Sequence, residues 1–206
     1  MTNEDPPRRH SPAAERNRAP ILAELRRLLP ARGLLLEIAS GSGQHAAYCS
    51  AGLPGWDWLP SDFDAAALPS ISAWCQGLAR VCEPIVLDVL KPQWPGVPTP
   101  LDAVYCANMI HIAPWSCCEG LMQGAARHLS AAGLLITYGP YLEDDVPTSP
   151  GNLAFDADLH ARDPAWGLRR REDVEAVAER AGLRLRERVA MPANNLLLVW
   201  GRSPAA

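Results

Sequence analysis

Two glycines, several acids and one histidine stand at spacings that suit the binding of a nucleotide-type ligand. Gly41 and Gly43 follow an apolar run that carries Glu37, and Asp62 comes about 20 residues later. Glycines let the backbone approach a ligand closely, and the amides that open a following helix point toward it. A carboxylate at 62 can accept hydrogen bonds from both hydroxyls of a ribose. These residues therefore predict a ribose-bearing ligand at the glycine-containing turn.

Asp88 and His111 extend this set. Asp88 lies near the end of the apolar run PIVLDV and can accept a hydrogen bond from an exocyclic amine of a base. His111 follows Asn108 in the stretch NMIH, and an imidazole that titrates near neutrality can take a proton from an attacking O, N or S atom. A histidine between two isoleucines is also a common packing residue, so both interpretations of His111 stay open.

Alternating apolar and amphipathic stretches must position these residues. Apolar runs separated by helical stretches indicate parallel strands covered on both faces, and two final strands joined by a short turn must pair antiparallel. We expect an α/β fold with a seven-stranded, mostly parallel sheet, an antiparallel last strand and helices on both faces. In such a sheet the ligand lies beyond the carboxyl ends of the strands. The predicted strands are 34–39, 56–61, 84–89, 101–107, 134–138, 184–190 and 195–200. One predicted helix begins near residue 44, and three others span 64–79, 114–129 and 170–181.

Two regions remain outside this alternation in what we expect to be a single domain over residues 1–206. Residues 1–30 contain a helix start at Ser11-Pro12 followed by apolar residues at helical spacing, which predicts a helical cover. Residues 140–168 are rich in Pro, Asp and Gly, which is typical of a long loop that binds ligand. We expect the acceptor site to be shaped by these two regions.

The type of ligand depends on Glu37. The stretch Gly41–Ala46 also fits the dinucleotide pattern G-x-G-x-x-A. A dinucleotide site uses bare amides and the helix dipole to bind pyrophosphate, so the carboxylate of Glu37 would be unfavourable there. A sulfonium amino acid carries an ammonium group and no phosphate, and a nearby carboxylate favours it. This comparison favours a sulfonium cofactor over NAD.

The run LLLEIASGSGQHA resembles the first motif of class I S-adenosylmethionine-dependent methyltransferases, an acid followed by G-x-G-x-G, with Ala39 at the first glycine. The segments AERNRAPIL, EIASGSGQHA, CANMIHIAPW, ARDPAWG and MPANNLLLVW are similar to those of a small group of uncharacterised methyltransferase-like proteins. The resemblance implies the Rossmann-like class I methyltransferase fold and S-adenosyl-L-methionine as cofactor. It also implies cofactor contacts from Glu37, Ala39, Gly41, Gly43, Asp62, Asp88, Val89 and Asn108.

The acceptor site is less well specified by the sequence. We assign His111 and Tyr141 to catalysis, and we expect acceptor contacts from the N-terminal cover, the end of the fifth strand and the 140–168 loop. His45, in the first turn after the glycines, is interpreted as structural, and the run Arg169–Arg171 as a solvated helix start. The predicted acceptor-binding residues are Asn17, Tyr138, Asn152, Asp156 and Trp166, with Phe155 as a further candidate.

Composition narrows the function further. A net charge of -4 and a pI near 5.7 argue against a protein that grips nucleic acid through its phosphates. No apolar run reaches the roughly 18 residues of a membrane span, and the N-terminus has no secretory signal, so we expect a cytoplasmic protein with reduced cysteines. No spacing indicates a metal site. We predict a methyltransferase for the O, N or S atom of a small molecule; the alternatives are a non-catalytic S-adenosylmethionine-binding or partner-binding protein and an NAD-dependent oxidoreductase.

Overall fold

The computed structural model describes residues 8–203, so the two ends of the chain, 1–7 and 204–206, lie outside the described residues. Helices and strands alternate in chain order, and short 3-10 turns follow β2, β4 and β6. The strands are β1 (Gly33–Ile38), β2 (Trp56–Asp62), β3 (Ile85–Val86), β4 (Leu101–Ala107), β5 (Leu129–Gly139), β6 (Leu183–Met191) and β7 (Asn195–Arg202). The helices are α1 (Pro12–Leu28), α2 (Gln44–Gly52), α3 (Leu68–Cys75), α4 (Ser116–His128), α5 (Pro150–Arg162) and α6 (Arg171–Arg180).

All seven strands join one sheet in the order β3-β2-β1-β4-β5-β7-β6. Strands β1 to β5 are parallel, whereas β7 is antiparallel to both β5 and β6. This confirms the predicted seven-stranded sheet with an antiparallel last strand. The ends of β2, β1, β4 and β5 are neighbours at the carboxyl edge, so residues that follow these strands are brought together.

Each face of the sheet is covered by a separate apolar core, because successive residues of a strand point to opposite faces. Leu35 of β1 packs in one core with Ile21 of α1 and Ile71 of α3. Leu36, the next residue, packs in the other core with Leu121 of α4 and Val174 of α6. Strands buried on both faces explain the continuous apolar runs of the sequence. Within residues 8–203, no helix has the length and apolar character of a membrane span.

The N-terminal helix begins where the sequence predicts. Ser11 is its N-cap, the Ser11 hydroxyl accepts a hydrogen bond from the Ala14 amide at 3.2 Å, and Pro12 occupies the first turn. This arrangement satisfies one of the amides that a helix start leaves without an intrahelical partner. The predicted helical cover of the N-terminal region is thus present as α1 among the described residues.

The expectation that 140–168 is a loop throughout is wrong, because α5 occupies Pro150–Arg162. Ser149 caps this helix through a hydrogen bond from the Asn152 amide at 3.3 Å, and Pro150 opens its first turn. This is the same Ser-Pro start signal that predicts α1. The high Pro, Asp and Gly content of the surrounding residues outweighed it in the sequence interpretation. The region is therefore a helix held between two irregular connections.

Candidate functional site

The turn between β1 and α2 forms the centre of the site. Ala39, Gly41 and Gly43 all have positive φ angles of 56°, 57° and 92°. A Cβ on Gly43 would lie 2.7 Å from the Ile71 Cα, so this glycine is required for the close approach of α3. A Cβ on Gly41 would find nothing nearer than the Ala39 carbonyl at 4.0 Å. Gly43 therefore serves packing, whereas Gly41 leaves open space beside the turn.

Asp62 at the end of β2 is joined to this turn. One carboxylate oxygen accepts a hydrogen bond from the Gly41 amide at 2.8 Å and the other accepts from the Asp64 amide at 3.0 Å. A carboxylate has about four acceptor positions, so each oxygen retains capacity for another donor. The half-buried side chain is thus held beside the open space at Gly41, in a position that suits a diol.

Glu37 lies behind the same turn and is only 2% exposed. Its carboxylate accepts a hydrogen bond from the Trp58 indole at 2.8 Å. Within residues 8–203 no Lys, Arg or His side chain forms an ion pair with it. Burial, the largest effect, raises the pKa of Glu37 to about 7, and the charge of Asp62 adds to the rise. A buried carboxylate without a cation is suited to receive a positively charged group.

Asp88 follows β3 beside the end of β2. Its carboxylate accepts a hydrogen bond from the Leu90 amide at 2.9 Å, and Val89 is buried behind it. Two large apolar side chains near these acids remain exposed: Phe63, directly after Asp62, at 72% and Leu90 at 52%. Exposed aromatic and aliphatic side chains beside hydrogen-bonding acids suit the flat face of a base. The sequence analysis does not single out Phe63 or Leu90, because an apolar side chain next to an acid has no distinctive spacing.

The first turns of α1 cross the start of α2 and contact it through polar side chains. The Ser11 amide donates to the Gln44 side chain at 2.5 Å, and the Gln44 amide group donates to Glu15 at 3.2 Å. Asn17 and His45 are hydrogen-bonded at 2.7 Å. Burial, the larger effect, lowers the pKa of His45 to about 4, so this imidazole is neutral at pH 7. The contact with Asn17 supports the structural interpretation of His45.

Asn17 also connects the cover to the end of β5. Burial, the largest effect, raises the pKa of Tyr138, and the nearby Asn17 side chain opposes this rise. Tyr138 is buried at the carboxyl edge, and its carbonyl accepts a hydrogen bond from the Asn108 amide at 2.8 Å. The structure thus brings Asn17, Tyr138 and Asn108 to one part of the site.

His111 lies on the turn after β4 and is fully buried. Its ring occupies the place where a side chain on Gly139 would be, and it packs edge-on against the Tyr141 ring at 4.9 Å between centroids. Neither ring nitrogen has a hydrogen-bond partner within residues 8–203. Burial, followed by the charge of Arg169, lowers the pKa of His111 to about 3, so the ring is neutral. The expectation that this imidazole titrates near neutrality is therefore wrong, because burial makes the ring a weaker base, and its assignment to catalysis stays a prediction.

Tyr141 is buried on the same side of the site. Its hydroxyl donates to the Thr137 hydroxyl at 2.8 Å, and burial raises its pKa far above the ordinary value. Its phenol therefore stays protonated at pH 7. In this arrangement the ring of Tyr141 supports His111, and its assignment to catalysis stays a prediction.

The predicted acceptor residues of the 140–168 region separate into two places along α5. The Asn152 side-chain amide donates to the Asn194 carbonyl at 2.8 Å, which ties the start of α5 to the β6–β7 turn. Asp156 accepts a hydrogen bond from the Leu168 amide at 2.7 Å, and the Trp166 ring packs against Arg162. Phe155 is 37% exposed on the helix. Asn152, Asp156 and Trp166 thus each have a contact within the protein. That they also contact the acceptor stays a prediction.

The interpretation of Arg169–Arg171 as solvated is wrong for Arg169, which is half-buried. Its guanidinium donates to the carbonyls of Ile110 at 3.0 Å, Ala113 at 2.9 Å and Ala165 at 2.6 Å. A sequence run of like charges carries no signal of such long-range contacts. Arg169 also lines a surface groove of about 550 Å³ that contains none of the predicted cofactor residues.

The described residues, 8–203, contain no cluster of three His, Cys, Asp or Glu side chains arranged for a metal ion. The polar groups at the carboxyl edge are instead carboxylates, amides and one neutral imidazole.

Several solved structures with a similar fold are methyltransferases. CalO1, a methyltransferase in calicheamicin biosynthesis solved with SAH bound, is 17% identical with a TM-score of 0.74 over 93% of this chain and 55% of its own. The mitomycin 7-O-methyltransferase MmcR is 15% identical with a TM-score of 0.78, covering 93% and 54%. Human N-acetylserotonin methyltransferase in complex with SAM is 14% identical with a TM-score of 0.73, covering 93% and 53%. The chain spans about half the length of these proteins and has the Rossmann-like fold of class I methyltransferases.

One protein family matches almost the whole chain. Its description is "Protein of unknown function (DUF938)", and the match extends over residues 8–202, which includes every strand and helix of the fold. The chain therefore belongs to the DUF938 family.

Proposed function

We propose that this protein is an S-adenosyl-L-methionine-dependent methyltransferase that transfers the methyl group to an O, N or S atom of a small molecule. The observation that carries the proposal is the buried, cation-free carboxylate of Glu37 behind the turn at Gly41. This arrangement suits the ammonium group of an amino acid and is unfavourable for pyrophosphate. The methyltransferase fold, and the SAH and SAM bound to CalO1 and human N-acetylserotonin methyltransferase, support the same cofactor.

The cofactor fits the residues around the turn. Glu37 would face the amino-acid part, the open space at Gly41 would admit the ligand, and Asp62 would accept hydrogen bonds from the ribose hydroxyls. Asp88 and Val89 would contact the adenine, with Phe63 and Leu90 against its faces. Asn108 would lie beside the methionine part, and Ala39 and Gly43 would shape the turn. When bound, the cofactor supplies a methyl group on a positively charged sulfur.

The acceptor side would be formed by His111, Tyr141 and the residues that cover them. An in-line methyl transfer requires alignment of the nucleophile, exclusion of water and, for a protonated nucleophile, removal of a proton. The neutral ring of His111 would accept that proton. Asn17, Tyr138, Asn152, Asp156 and Trp166 would contact the acceptor, and the small molecules named for MmcR and human N-acetylserotonin methyltransferase support an acceptor of this size.

Ligand-induced stabilisation tests the cofactor. We expect S-adenosylhomocysteine to raise the melting temperature in proportion to its occupancy, and NAD to leave it unchanged. Asp62→Ala should weaken S-adenosylhomocysteine binding at least tenfold in calorimetry. Asp64→Ala, two residues away, is the matched control and should bind as the wild type does. Unchanged affinity in Asp62→Ala would remove that residue from the site, and stabilisation by NAD alone would favour an oxidoreductase.

A non-catalytic binding protein is the second candidate, because both proposed catalytic side chains are buried in the described structure. Labelled-methyl transfer into a metabolite extract, followed by mass analysis, separates the two. We expect a labelled small molecule with the wild type and much less with His111→Gln, while both bind S-adenosylhomocysteine equally. Binding without any labelled product would favour the non-catalytic protein, and full activity of His111→Gln would reduce His111 to a packing residue.

A further inference from the structure

Arg169 makes contacts that tie the turn carrying His111 to a distant part of the chain. Its guanidinium donates to Ile110 and Ala113, which lie on either side of His111, and also to Ala165. One side chain thus bonds three carbonyls from two segments that are more than 50 residues apart in sequence. Hydrogen bonds from a charged donor are shorter and stronger than those between neutral groups, so Arg169 constrains the positions of both segments.

The segment held by Arg169 also closes over His111. The Gly167 amide donates to the His111 carbonyl at 2.9 Å, and the Asp156 carboxylate on α5 accepts from the next amide, that of Leu168. Gly167 has φ of 148°, and a side chain there would overlap His160 of α5. The stretch 165–168 is therefore bonded to the histidine turn on one side and to α5 on the other.

Burial is the largest cause of the low pKa of His111, the charge of Arg169 lowers this pKa further, and the Gly167 backbone opposes the shift. The ring contacts Tyr141, whose phenol is neutral, and the thiols of Cys106 and Cys118 lie near that tyrosine. Arg169 is balanced in part by Asp156 and stacks at 5.6 Å from the centre of the Trp115 ring. A cation beside an imidazole disfavours protonation of that imidazole. The same arginine that positions the backbone thus also favours the neutral form of the ring.

We propose that Arg169 is the positioning residue of the acceptor site, holding the turn that carries His111 in place against the 165–168 segment. The proposal rests on the proposed function only in taking His111 as the group that receives the acceptor's proton. The effect of Arg169 on His111 can be measured without a cofactor or an acceptor. The neighbouring Arg170 does not share this role, because its side chain is exposed and pairs with Asp144 and Asp173.

The experiment compares Arg169→Gln, Arg169→Lys and the matched control Arg170→Gln by NMR. The imidazole signals of His111 are identified from their loss in His111→Gln, and hydrogen exchange is followed at the Gly167 amide. In the wild type we expect a neutral His111 ring at pH 5 and slow exchange at Gly167. In Arg169→Gln the exchange at Gly167 should be at least tenfold faster. Its His111 ring should become protonated at a higher pH than in the wild type, because the opposing charge is removed while burial, the larger cause, remains.

The other two variants separate charge from geometry. Lysine retains the charge without the planar fork, so Arg169→Lys should keep His111 neutral at pH 5 while exchange at Gly167 still rises. Arg170→Gln should match the wild type in both measurements. The proposal is overturned if Arg169→Gln leaves both measurements unchanged, or if it speeds exchange throughout the protein without altering His111. Absence of S-adenosylhomocysteine binding would refute the proposed cofactor and leave this result intact.

Discussion

The two halves of the site are built differently. The centre of the cofactor half is a local structure: one strand, one turn and the start of one helix contain Glu37, Ala39, Gly41 and Gly43 within seven residues, and Asp62 joins it from the neighbouring strand. The acceptor half is assembled from distant segments, because the His111 ring packs on Gly139 and the His111 carbonyl accepts a hydrogen bond from the Gly167 amide. The first half is held by backbone geometry, and the second by side-chain contacts over long range. Substitutions should therefore affect them in different ways.

The largest effect is expected at Gly43, where the cofactor half meets α3. Gly43→Ala would place a methyl group 2.7 Å from the Ile71 Cα at a φ of 92°. Overpacking costs about 1–3 kcal/mol and a left-handed conformation about 1–2 kcal/mol. We expect the free energy of unfolding in urea to fall by about 2–5 kcal/mol.

Gly41→Ala is the matched control for this substitution. It has a similar backbone conformation but open space around the new methyl group, so only the left-handed cost of about 1–2 kcal/mol applies. The methyl group would instead occupy ligand space, and S-adenosylhomocysteine affinity should fall at least tenfold. We assign Gly43 to packing and Gly41 to ligand binding. Equal destabilisation by the two substitutions, or normal binding of S-adenosylhomocysteine by Gly41→Ala, would contradict this assignment.

The second effect concerns the buried carboxylate of Glu37. Its pKa is near 7 when folded and near 4.5 ordinarily, so the folded protein binds more protons than the unfolded chain between these values. Stability must then decrease as pH rises from 4.5 to 7, by about 3 kcal/mol at most. Glu37→Gln removes this loss. In urea titrations, the free energy of unfolding of Glu37→Gln minus that of the wild type should be about 2–3 kcal/mol larger at pH 8 than at pH 5.

The ionisation of Glu37 should also make the affinity for the cofactor depend on pH. Binding of an ammonium group favours the ionised form of Glu37, so wild-type affinity for S-adenosylhomocysteine should increase between pH 6 and pH 8. In Glu37→Gln the affinity should be nearly constant over this range. An equal pH dependence of binding in both proteins would place the ammonium group elsewhere.

The difference between the halves also explains what the sequence could predict. The number of strands, the closing hairpin and the glycine turn depend on local periodicity and spacing, and the structure confirms the seven-stranded sheet with its antiparallel last strand. The predicted strand 84–89 is too long, because only Ile85–Val86 pair with β2 at the edge of the sheet. Arg169 was misread because its three carbonyl partners come from turns that no local pattern connects to it. The helix α5 was missed for another reason: its Ser149-Pro150 start signal is local, but the surrounding composition was given more weight.

Phe63 and Leu90 mark the limit of motif reading within the cofactor half itself. Their neighbours Asp62 and Asp88 were recognised from hydrogen-bonding chemistry, yet apolar side chains beside them have no distinctive spacing. Only their exposure in the folded chain, 72% and 52%, separates them from core residues. Exposure depends on the edge position of β3, where the sheet ends and α3 leaves the surface uncovered.

The smallest expected effect is at Ala39, where the chain departs from the glycine of the methyltransferase motif. Ala39 has φ of 56°, so it already adopts the left-handed conformation that glycine would have. Ala39→Gly should relieve about 1–2 kcal/mol of strain and lose about 0.4–1 kcal/mol through the greater freedom of the unfolded chain. We expect a net gain between zero and about 1.6 kcal/mol, seen as a small rise in melting temperature.

Ala193→Gly provides the control, since Ala193 has φ of 58° in the distant β6–β7 turn. Both substitutions should stabilise the protein to a similar extent, and both should leave S-adenosylhomocysteine affinity within about threefold of the wild type. Because the turn at Ala39 already has the shape that binding requires, relief of its strain should alter stability and not the site. If Ala39→Gly alone binds S-adenosylhomocysteine at least tenfold more tightly than the wild type, then alanine at this position weakens cofactor binding. The turn would in that case not have the shape that binding requires, despite the φ of Ala39.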